Sequence, residues 1–456
     1  MVTTDYSLPR PKQHNFRWAI CTLLFFAIFI NYLDRQILGI LKKPLSETLG
    51  WSERDYGWIT AAFSFAYAFG YLFGGRFMDR VGVRYGMPLI VALWSTAAAA
   101  HGFCAYLDIG KGFTLDYPWF SWAEKGFIVA TLTLPMTAAG FMLSRIALGL
   151  TQGGVFPGSI KTVAEWFPIK ERALATGLFN AGSNIGAVIC LLFVPTLYEK
   201  LGWEKTFYVT AATGFVWLIA WWFLYESPDR QKRLNPVELS YIRRGQPPIE
   251  VAPPRVPWIS LLRYRPVWAY IIAGILAGPA WGVYQSFMPD FLGKRFNLTL
   301  QQTGNWSALF FAIAVIGGVA GGWLAGKLLE RGWTVNAARK VSLLVCALSV
   351  VPVFLAPFVD NILLVVIIVG IAGSAHQGWS ANLFSVVGDT MPKETISSVV
   401  GLGGFVAFLA GGFVNGITGE ILQKTGSYVP VFGYISGMYL LSLLAIQILV
   451  PRIEPK

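Results

Sequence analysis

Apolar runs of about 20 residues, separated by shorter polar segments, recur along the whole chain. An α-helix of that length crosses the hydrocarbon core of a lipid bilayer, so each run is a candidate transmembrane helix. We predict twelve spans, near residues 17–40, 57–75, 86–107, 135–164, 172–197, 203–225, 266–290, 303–326, 340–359, 361–388, 396–420 and 428–450. A polar stretch separates the sixth span from the seventh, so the pattern predicts an all-α membrane protein with two six-helix bundles.

This pattern divides the chain into four parts. We predict a tail at 1–16, a first bundle at 17–225, a linker at 226–264, and a second bundle with a short tail at 265–456. An even number of spans places both chain ends on one side, and the loops on that side carry most of the lysines and arginines. Because basic loops remain in the cytoplasm, we predict a multi-pass protein of the inner (plasma) membrane with both termini cytoplasmic.

The composition agrees with a protein that is embedded in a lipid bilayer. Of the 456 residues, 55% are hydrophobic and only 13% are charged, whereas about 25% are charged in soluble domains. The net charge of +12 follows from the basic loops, and no basic soluble domain is evident, so no nucleic-acid partner is predicted. The four cysteines form no CxxC pair and the three histidines are scattered, so we predict no metal site, disulfide or cofactor.

Two ionisable residues, Asp34 and Arg35, stand side by side inside the first apolar span. A charge in the membrane interior is costly, so these side chains should face the protein interior or a water-filled cavity. A purely structural alternative is that they neutralise each other or extend toward the nearer surface.

A second buried cation, Arg145, lies deep in the fourth span. Gly149, Gln152 and Phe156 follow it at offsets of four, seven and eleven residues, so all four share one helix face. Two arginines on different helices, Arg35 and Arg145, can bind one carboxylate through a fork of charged hydrogen bonds, which predicts an organic anion as ligand. Alternatively, Arg145 pairs with Asp34 or with a helix-end carbonyl.

Polar and aromatic residues on other spans are candidates for binding the rest of such a ligand, because each can donate or accept a hydrogen bond or stack on it. Any one of them could equally be a contact between helices. The candidates are Tyr32, Tyr67, Tyr71, Asn180, Ser183, Asn184, Trp281, Tyr284, Gln285, His376, Gln377 and Asn382.

A short loop motif occurs at the same position in both halves of the chain. It runs over residues 75–84 between spans two and three, and over residues 322–332 between spans eight and nine. In the first copy, Gly75 and Gly82 would allow tight packing and turning. Asp79 would pair with a basic partner, and Arg80 and Arg84 would complete a conformational gate. A basic loop that only sets the topology is the alternative interpretation.

The loop at residues 75–84 resembles the signature of the major facilitator superfamily between helices two and three. The chain is further similar to hexuronate transporters of the anion:cation symporter family of that superfamily, through five matching stretches. These are residues 31–35 (NYLDR), 161–168 (KTVAEWFP), 179–186 (FNAGSNIG), 279–282 (PAWG) and 375–377 (AHQ).

This resemblance implies a proton-coupled carrier with alternating access. In the family a glutamate that takes up a proton usually occupies the position of Gln152, and an amide cannot do so. Asp34 then remains as the predicted proton carrier, and a natural or an engineered glutamine at position 152 would alter the coupling. The segment 108–134, between spans three and four, is longer than the corresponding segment in this family. It would form an outward-facing loop or lid, or a tolerated surface insertion.

The sequence therefore predicts a secondary transporter, not an enzyme, that imports a sugar-acid anion by proton symport. The expected substrate is a hexuronate such as glucuronate or galacturonate. A carrier of another organic anion, either an aldonate such as galactonate or an aromatic acid, is the nearest alternative. A membrane-embedded enzyme or a sensor is more remote, because the sequence offers neither a nucleophile with its base nor a soluble signalling domain.

Overall fold

The computed structural model describes residues 15–107, 111–121, 126–243, 258–391 and 395–453. Sixteen α-helices in these ranges make up most of the chain. The first half contains α1 (Phe16–Ile40), α2 (Lys42–Leu49), α3 (Glu53–Val81), α4 (Val83–Phe103), α5 (Met136–Gln152), α6 (Val155–Trp166), α7 (Ile169–Leu224) and α8 (Pro236–Arg243). The second half contains α9 (Trp258–Leu261), α10 (Arg265–Ala277), α11 (Pro279–Phe296), α12 (Leu300–Glu330), α13 (Val335–Val350), α14 (Ile362–Thr390), α15 (Ile396–Thr425) and α16 (Val429–Leu449).

These helices form the twelve predicted spans. Helices α1, α3, α4, α12, α14, α15 and α16 are one span each, while α7 holds two spans that join at Gly202, where φ is 80°. The fourth span is α5 followed by α6, and the seventh is α10 followed by α11. The ninth span begins as α13 and ends as a 3-10 helix at Val351–Phe358. The prediction of a twelve-helix fold in two pseudo-symmetric bundles is therefore confirmed.

By length and composition alone, nine helical segments of the described ranges could cross a bilayer. One of the nine is α7, which holds two spans. The remaining two spans are α3, which is less apolar, and the broken pair α5 and α6, whose parts are short. Polar residues and helix breaks thus concentrate in particular spans, which is expected where backbone or side chains line a cavity and not lipid.

Glycines bring α3 into close contact with α5 and α6. A Cβ atom on Gly74 would lie 2.5 Å from the Cα of Gly154, so the two backbones touch. The sequence analysis assigned this close approach to Gly75. A Cβ atom there would meet only the Cβ of Pro157, at an ordinary 3.7 Å, so the glycine that the packing requires is Gly74.

The two bundles contact each other at the face opposite the chain ends, which we call the far face. There α3 begins and α15 ends, and a Cβ atom on Gly57 would lie 2.8 Å from the Cα of Gly419. Gln301 of α12 also accepts a hydrogen bond from Thr196 of α7, at 3.2 Å. The far face is therefore closed in this structure.

Ion pairs reinforce this closure. Lys42 of α2 lies 2.7 Å from Asp290 of α11 and 2.6 Å from Glu53 of α3. Lys294 of α11 contacts both acids, and the Tyr428 hydroxyl donates to Asp290. Lys42 and the Asp290 side chain are only 2% and 1% exposed. This five-residue group, the far-face cluster, joins the two bundles, and the Lys42–Asp290 pair at its centre is buried.

The segment predicted as a loop, a lid or a surface insertion contains a β-hairpin. Strand β1 (Gly112–Ser121) pairs antiparallel with β2 (Gly126–Pro135), with Gly112 opposite Pro135. The hairpin connects the end of α4 to the start of α5. In the described part of the chain, this hairpin is where the structure differs from the predicted all-α fold.

Part of the linker packs on the first bundle. Glu238 of α8 is 1% exposed and accepts hydrogen bonds from the backbone and the guanidinium of Arg17. The Tyr241 hydroxyl donates to Glu171 at 2.8 Å. The predicted tail, apart from its last two residues, and the linker segment 244–257 lie outside the described residues.

Candidate functional site

A cavity of about 340 Å³ lies between the two bundles. Its walls come from α1, α3, α5, α6 and α7 on one side and from α10, α11, α14 and α15 on the other. Two hydrogen bonds between the bundles close it toward the far face: Tyr56 to the Ser286 carbonyl, at 2.6 Å, and Gln36 to the Gln285 carbonyl, at 3.0 Å. Aromatic side chains are its commonest lining: Tyr32, Tyr56, Phe63, Tyr67, Tyr71, Phe156, Tyr270, Trp281, Trp379, Phe384 and Phe408.

Arg35 lines this cavity and is held by aromatic rings. Its guanidinium carbon lies 4.6 Å from the ring centre of Tyr32, 4.4 Å from that of Tyr67 and 5.1 Å from that of Phe63. Its Nη2 donates to Asn31 at 3.3 Å, while its Nε has no hydrogen-bond partner. Cation–π contacts thus fix this cation and leave hydrogen-bonding capacity for a ligand.

Arg145 is the second cation of the cavity. It is only 2% exposed, and its guanidinium carbon lies 5.7 Å from the ring centre of Phe63, so the two arginines contact the same ring. The Nε and Nη2 atoms of Arg145 have no hydrogen-bond partner. Buried donors of this kind are costly unless something pairs with them, and a carboxylate is the ligand that a guanidinium fork fits best.

Asp34 lies beside the cavity, not in its lining. It is 2% exposed, neither of its carboxylate oxygens has a hydrogen-bond partner, and it is close enough to Arg145 for the two charges to interact. Asp34 thus forms no hydrogen bond with its neighbour Arg35 or with Arg145, so residues 34 and 35 do not pair directly, whereas the charge of Arg145 acts on Asp34. The acid is buried next to a cavity cation.

Six candidate ligand residues lie outside the lining: Gln152, Ser183, Asn184, Tyr284, Gln377 and Asn382. Ser183 donates to the Asn180 carbonyl at 2.7 Å, and Asn382 donates to the Gly321 carbonyl at 2.9 Å. Gln152 is fully buried and donates to the Asn31 carbonyl of α1 at 3.2 Å. Tyr284 is buried against Phe310, with 5.4 Å between ring centres. Neither Asn184 nor Gln377 belongs to the lining, and the neighbouring residues Asn180 and His376 take their places. Helix rotation, which apolar spans do not specify, explains why these residues lie outside the cavity lining.

His376 and Trp281 form one wall of the cavity in the second bundle. Their rings are stacked, with centres 5.4 Å apart and planes 9° apart. The Nδ1 atom of His376 lies 2.5 Å from the Tyr439 hydroxyl. The imidazole is therefore held on two sides, and the stack offers an aromatic surface to a ligand.

Several lining residues were missed by the sequence analysis, and two of them carry buried polar atoms without partners. Trp379 and Asn415 are 1% and 2% exposed, and the indole nitrogen of Trp379 and the amide oxygen of Asn415 have no hydrogen-bond partner. A lone asparagine in the glycine-rich eleventh span was the available signal for Asn415. Trp379 could not be distinguished in the sequence from tryptophans that anchor helices at the bilayer interface.

The loop motif is held by polar contacts of Asp79 and Arg84, within the first bundle. Asp79 pairs with Lys161 of α6 at 3.0 Å, and the same lysine donates to the Met78 carbonyl at 2.9 Å. Arg84 pairs with Glu226 at 2.9 Å and also donates to the carbonyl of Tyr225. These contacts join the end of α3 to α6, and the start of α4 to the end of α7.

The other residues of the motif have simpler surroundings. Gly82 has φ of 80°, a left-handed conformation that glycine adopts without strain, and it turns the chain from α3 into α4. Arg80 is exposed. In the second copy, Lys327 pairs with Glu330 at 3.0 Å, within the last turn of α12.

Comparison with known proteins gives the family. The sequence profile described as the Major Facilitator Superfamily matches residues 24–415. The chain belongs to the major facilitator superfamily. Membership confirms the predicted superfamily and the prediction of a transporter, not an enzyme.

Curated relatives within this superfamily include transporters of acidic sugars. A hexuronate transporter of Escherichia coli K12 is 27% identical over 439 residues, which cover 95% of this chain and 94% of the relative. A probable galactarate/D-glucarate transporter of Bacillus subtilis is 26% identical, over 98% of this chain and 94% of the relative. The resemblance to hexuronate transporters is therefore confirmed.

Solved structures support the same fold. A crystal structure of a D-xylose-proton symporter superposes with a TM-score of 0.70 at 14% identity, over 96% of this chain and 99% of the other. At this identity the likeness concerns the fold alone.

Proposed function

We propose that this transporter carries a sugar-acid anion, a hexuronate such as glucuronate or galacturonate, across the inner membrane by proton symport. The observation that carries the proposal is the pair of buried arginines in the cavity between the bundles. Arg35 and Arg145 contact the same aromatic ring, and both retain unpaired donors. Acidic-sugar carriers among the relatives support the same substrate class.

One carboxylate would bind between these two guanidinium groups. Each guanidinium can offer parallel N–H donors, so a single carboxylate can satisfy atoms that otherwise stay unpaired in the membrane. Tyr32 and Tyr67 would orient Arg35 through its faces, and Trp281 would pack on the ring of the substrate. The sugar hydroxyls would then reach the polar lining of the second bundle.

Asp34 would carry the proton. The acid is buried beside Arg145 and outside the cavity lining. Its protonation would therefore change the net charge at the arginine pair without placing a group in the path of the substrate. Protonation of Asp34 would leave Arg145 free to hold the carboxylate, and substrate release would favour the return of the ionised acid. Gln152, which occupies the family's glutamate position, would contribute a fixed contact to α1 and no proton.

Alternating access would follow from the position of the contacts between the bundles. With the far face closed by the far-face cluster, the cavity would be reached from the side of the chain ends, which we assign to the cytoplasm. The loop motif, with Asp79 on Lys161 and Arg84 on Glu226, would act as the gate on that side when the protein reverses.

A carrier of aromatic carboxylates is the second candidate. The specific observation that favours it is the number of aromatic side chains in the cavity lining, since flat rings stack well on one another. Both candidates use the same arginine pair and differ in what the rest of the cavity binds.

Uptake into proteoliposomes tests the proposal. Labelled glucuronate, galacturonate and benzoate are supplied with and without an inward proton gradient. We expect gradient-driven glucuronate or galacturonate uptake, its loss in Asp34→Asn, and a fall of tenfold or more in kcat/KM in Arg145→Lys, because lysine cannot form the bidentate fork. Arg54→Lys at the far-face surface is the matched control. Accumulation of benzoate alone, above its level in protein-free liposomes under the same gradient, would favour the second candidate, and unchanged uptake in Arg145→Lys would refute the arginine fork.

A further inference from the structure

The arginines of the described cavity lining belong to the first bundle. Arg35 and Arg145 both come from that bundle. The described lining from the second bundle contains neither lysine nor arginine. A ligand that spans the cavity therefore meets cations at one end and neutral groups at the other.

Those neutral groups include buried atoms that lack partners. The side-chain nitrogens of Gln285 and Trp379 are unpaired donors, and the amide oxygen of Asn415 is an unpaired acceptor. Asn415 is also joined to the first bundle, because its amide nitrogen donates to Ser64 at 3.4 Å. Two donors and one acceptor match hydroxyl groups, each of which can donate and accept. A carboxylate would satisfy the donors only.

We propose that this second-bundle half selects monoanions: the substrate carries one carboxylate, bound by the arginines, and hydroxyl groups at its other end. Acids with a carboxylate at each end are rejected. The inference rests on the proposed function and narrows its substrate class. It also separates this protein from its galactarate/D-glucarate relative, because the substrates in that relative's name are dicarboxylates.

The physical reason is the cost of a buried charge without a partner. A second carboxylate would leave water for a site that supplies two neutral donors and, in Asn415, a repelling acceptor. His376 is the group of this half that could gain a positive charge, and its Nδ1 is already engaged with the Tyr439 hydroxyl. We expect dianions to bind about 100-fold or more weakly than the matched monoanions, since mismatched polar sites discriminate by two or more orders of magnitude.

Calorimetric titration of the full-length purified protein tests this directly. Gluconate and glucarate share an open six-carbon chain and differ only in the second carboxylate, and glucuronate is the reference ligand. We expect gluconate and glucuronate to bind and glucarate to bind at least 100-fold more weakly. Ser380 lines the same half one turn from His376. Ser380→Arg should therefore gain glucarate affinity, whereas the neutral Ser380→Gln should not.

Equal affinity for gluconate and glucarate would overturn the proposal. It would also be overturned if glucarate bound the unmodified protein and lost affinity in His376→Gln. In that case a protonated His376 would be the cation that binds the second carboxylate. Failure of both monoanions to bind would count against the proposed function instead. Selection by charge is then measured on benzoate against terephthalate, where equal binding would again overturn it.

Discussion

Replacement of Lys42 by methionine should open the far face of the protein. The Lys42 ammonium lies 2.7 Å from Asp290 and 2.6 Å from Glu53, and its ring neighbours Tyr56 and Phe287 lie 4.8 and 5.2 Å away. Methionine keeps most of the apolar contact and removes the charge. Asp290 would then remain buried with a smaller share of positive charge around it.

The expected change in the free energy of the far-face-closed state follows from the burial of the Lys42–Asp290 pair. Loss of one partner from a buried ion pair costs about 3–5 kcal/mol. Lys294 and the Tyr428 hydroxyl still contact Asp290, so we take the lower end, about 3 kcal/mol. The cost applies only while the far face is closed, because opening hydrates Asp290. At 1.4 kcal/mol per tenfold change, the equilibrium should move toward the far-face-open state by about 100-fold.

Spin labels at Lys205 and Lys424 provide the assay, in a variant that lacks the four native cysteines. Both lysines are exposed at the far face, one on each bundle. Double electron–electron resonance should show a short distance in the parent and a longer, broader distribution in Lys42→Met. The matched control is Arg54→Gln. Its ion pair with Glu420 is 46% and 28% exposed, so we expect a change of less than about 1 kcal/mol and little shift.

The reasoning would be refuted if Lys42→Met were folded and kept the parent distance distribution. A double substitution, Lys42→Met with Asp290→Asn, gives an independent check, because no buried carboxylate then lacks its partner while Glu53 keeps its contact with Lys294, so the distribution should move back toward the short distance. If the double variant left the far face as open as the single variant, the apolar contacts of Lys42 would be responsible and not its ion pair.

Two further predictions concern stability. A side chain at Gly153 would place its Cβ 2.5 Å from the Gly70 carbonyl carbon, so Gly153→Val should separate α3 from α5 and lower the Tm of the purified protein. The control is Gly177→Ala, which should leave the Tm nearly unchanged because no atom lies within 4 Å of the added Cβ. Glu238→Ala removes charged hydrogen bonds to Arg17 and should reduce the local stability of α8 by about 1.5–3 kcal/mol, measured as faster amide exchange over this helix. Unchanged exchange would show that α8 is held by other contacts.

The transmembrane spans could be predicted because the bilayer acts on each segment separately. A helix must be long and apolar enough to cross the hydrocarbon core, and this can be judged from about 20 consecutive residues. Charged residues stand out against such runs, so Asp34, Arg35 and Arg145 could be selected without a structure. The break at Gly278 could also be predicted, because Pro279 follows it and proline cannot continue a helix. The break at Gly153 was less evident, because glycine is common in membrane helices and only some glycines end one.

The rotation of each helix and the pairing of distant helices were decided only by the tertiary structure. Adjacent residues on a helix point about 100° apart, so either Asp34 or Arg35 could have faced the cavity; packing turned Arg35 toward it and left Asp34 beside Arg145. Gln152 was turned onto α1 by the same packing. Asn415 came to the cavity, next to residues more than 300 positions earlier in the chain, because the two bundles meet there. The sequence alone thus determined which segments enter the membrane and which charges they carry. The assembled bundles determined what those charges face, because that depends on contacts that no single helix contains.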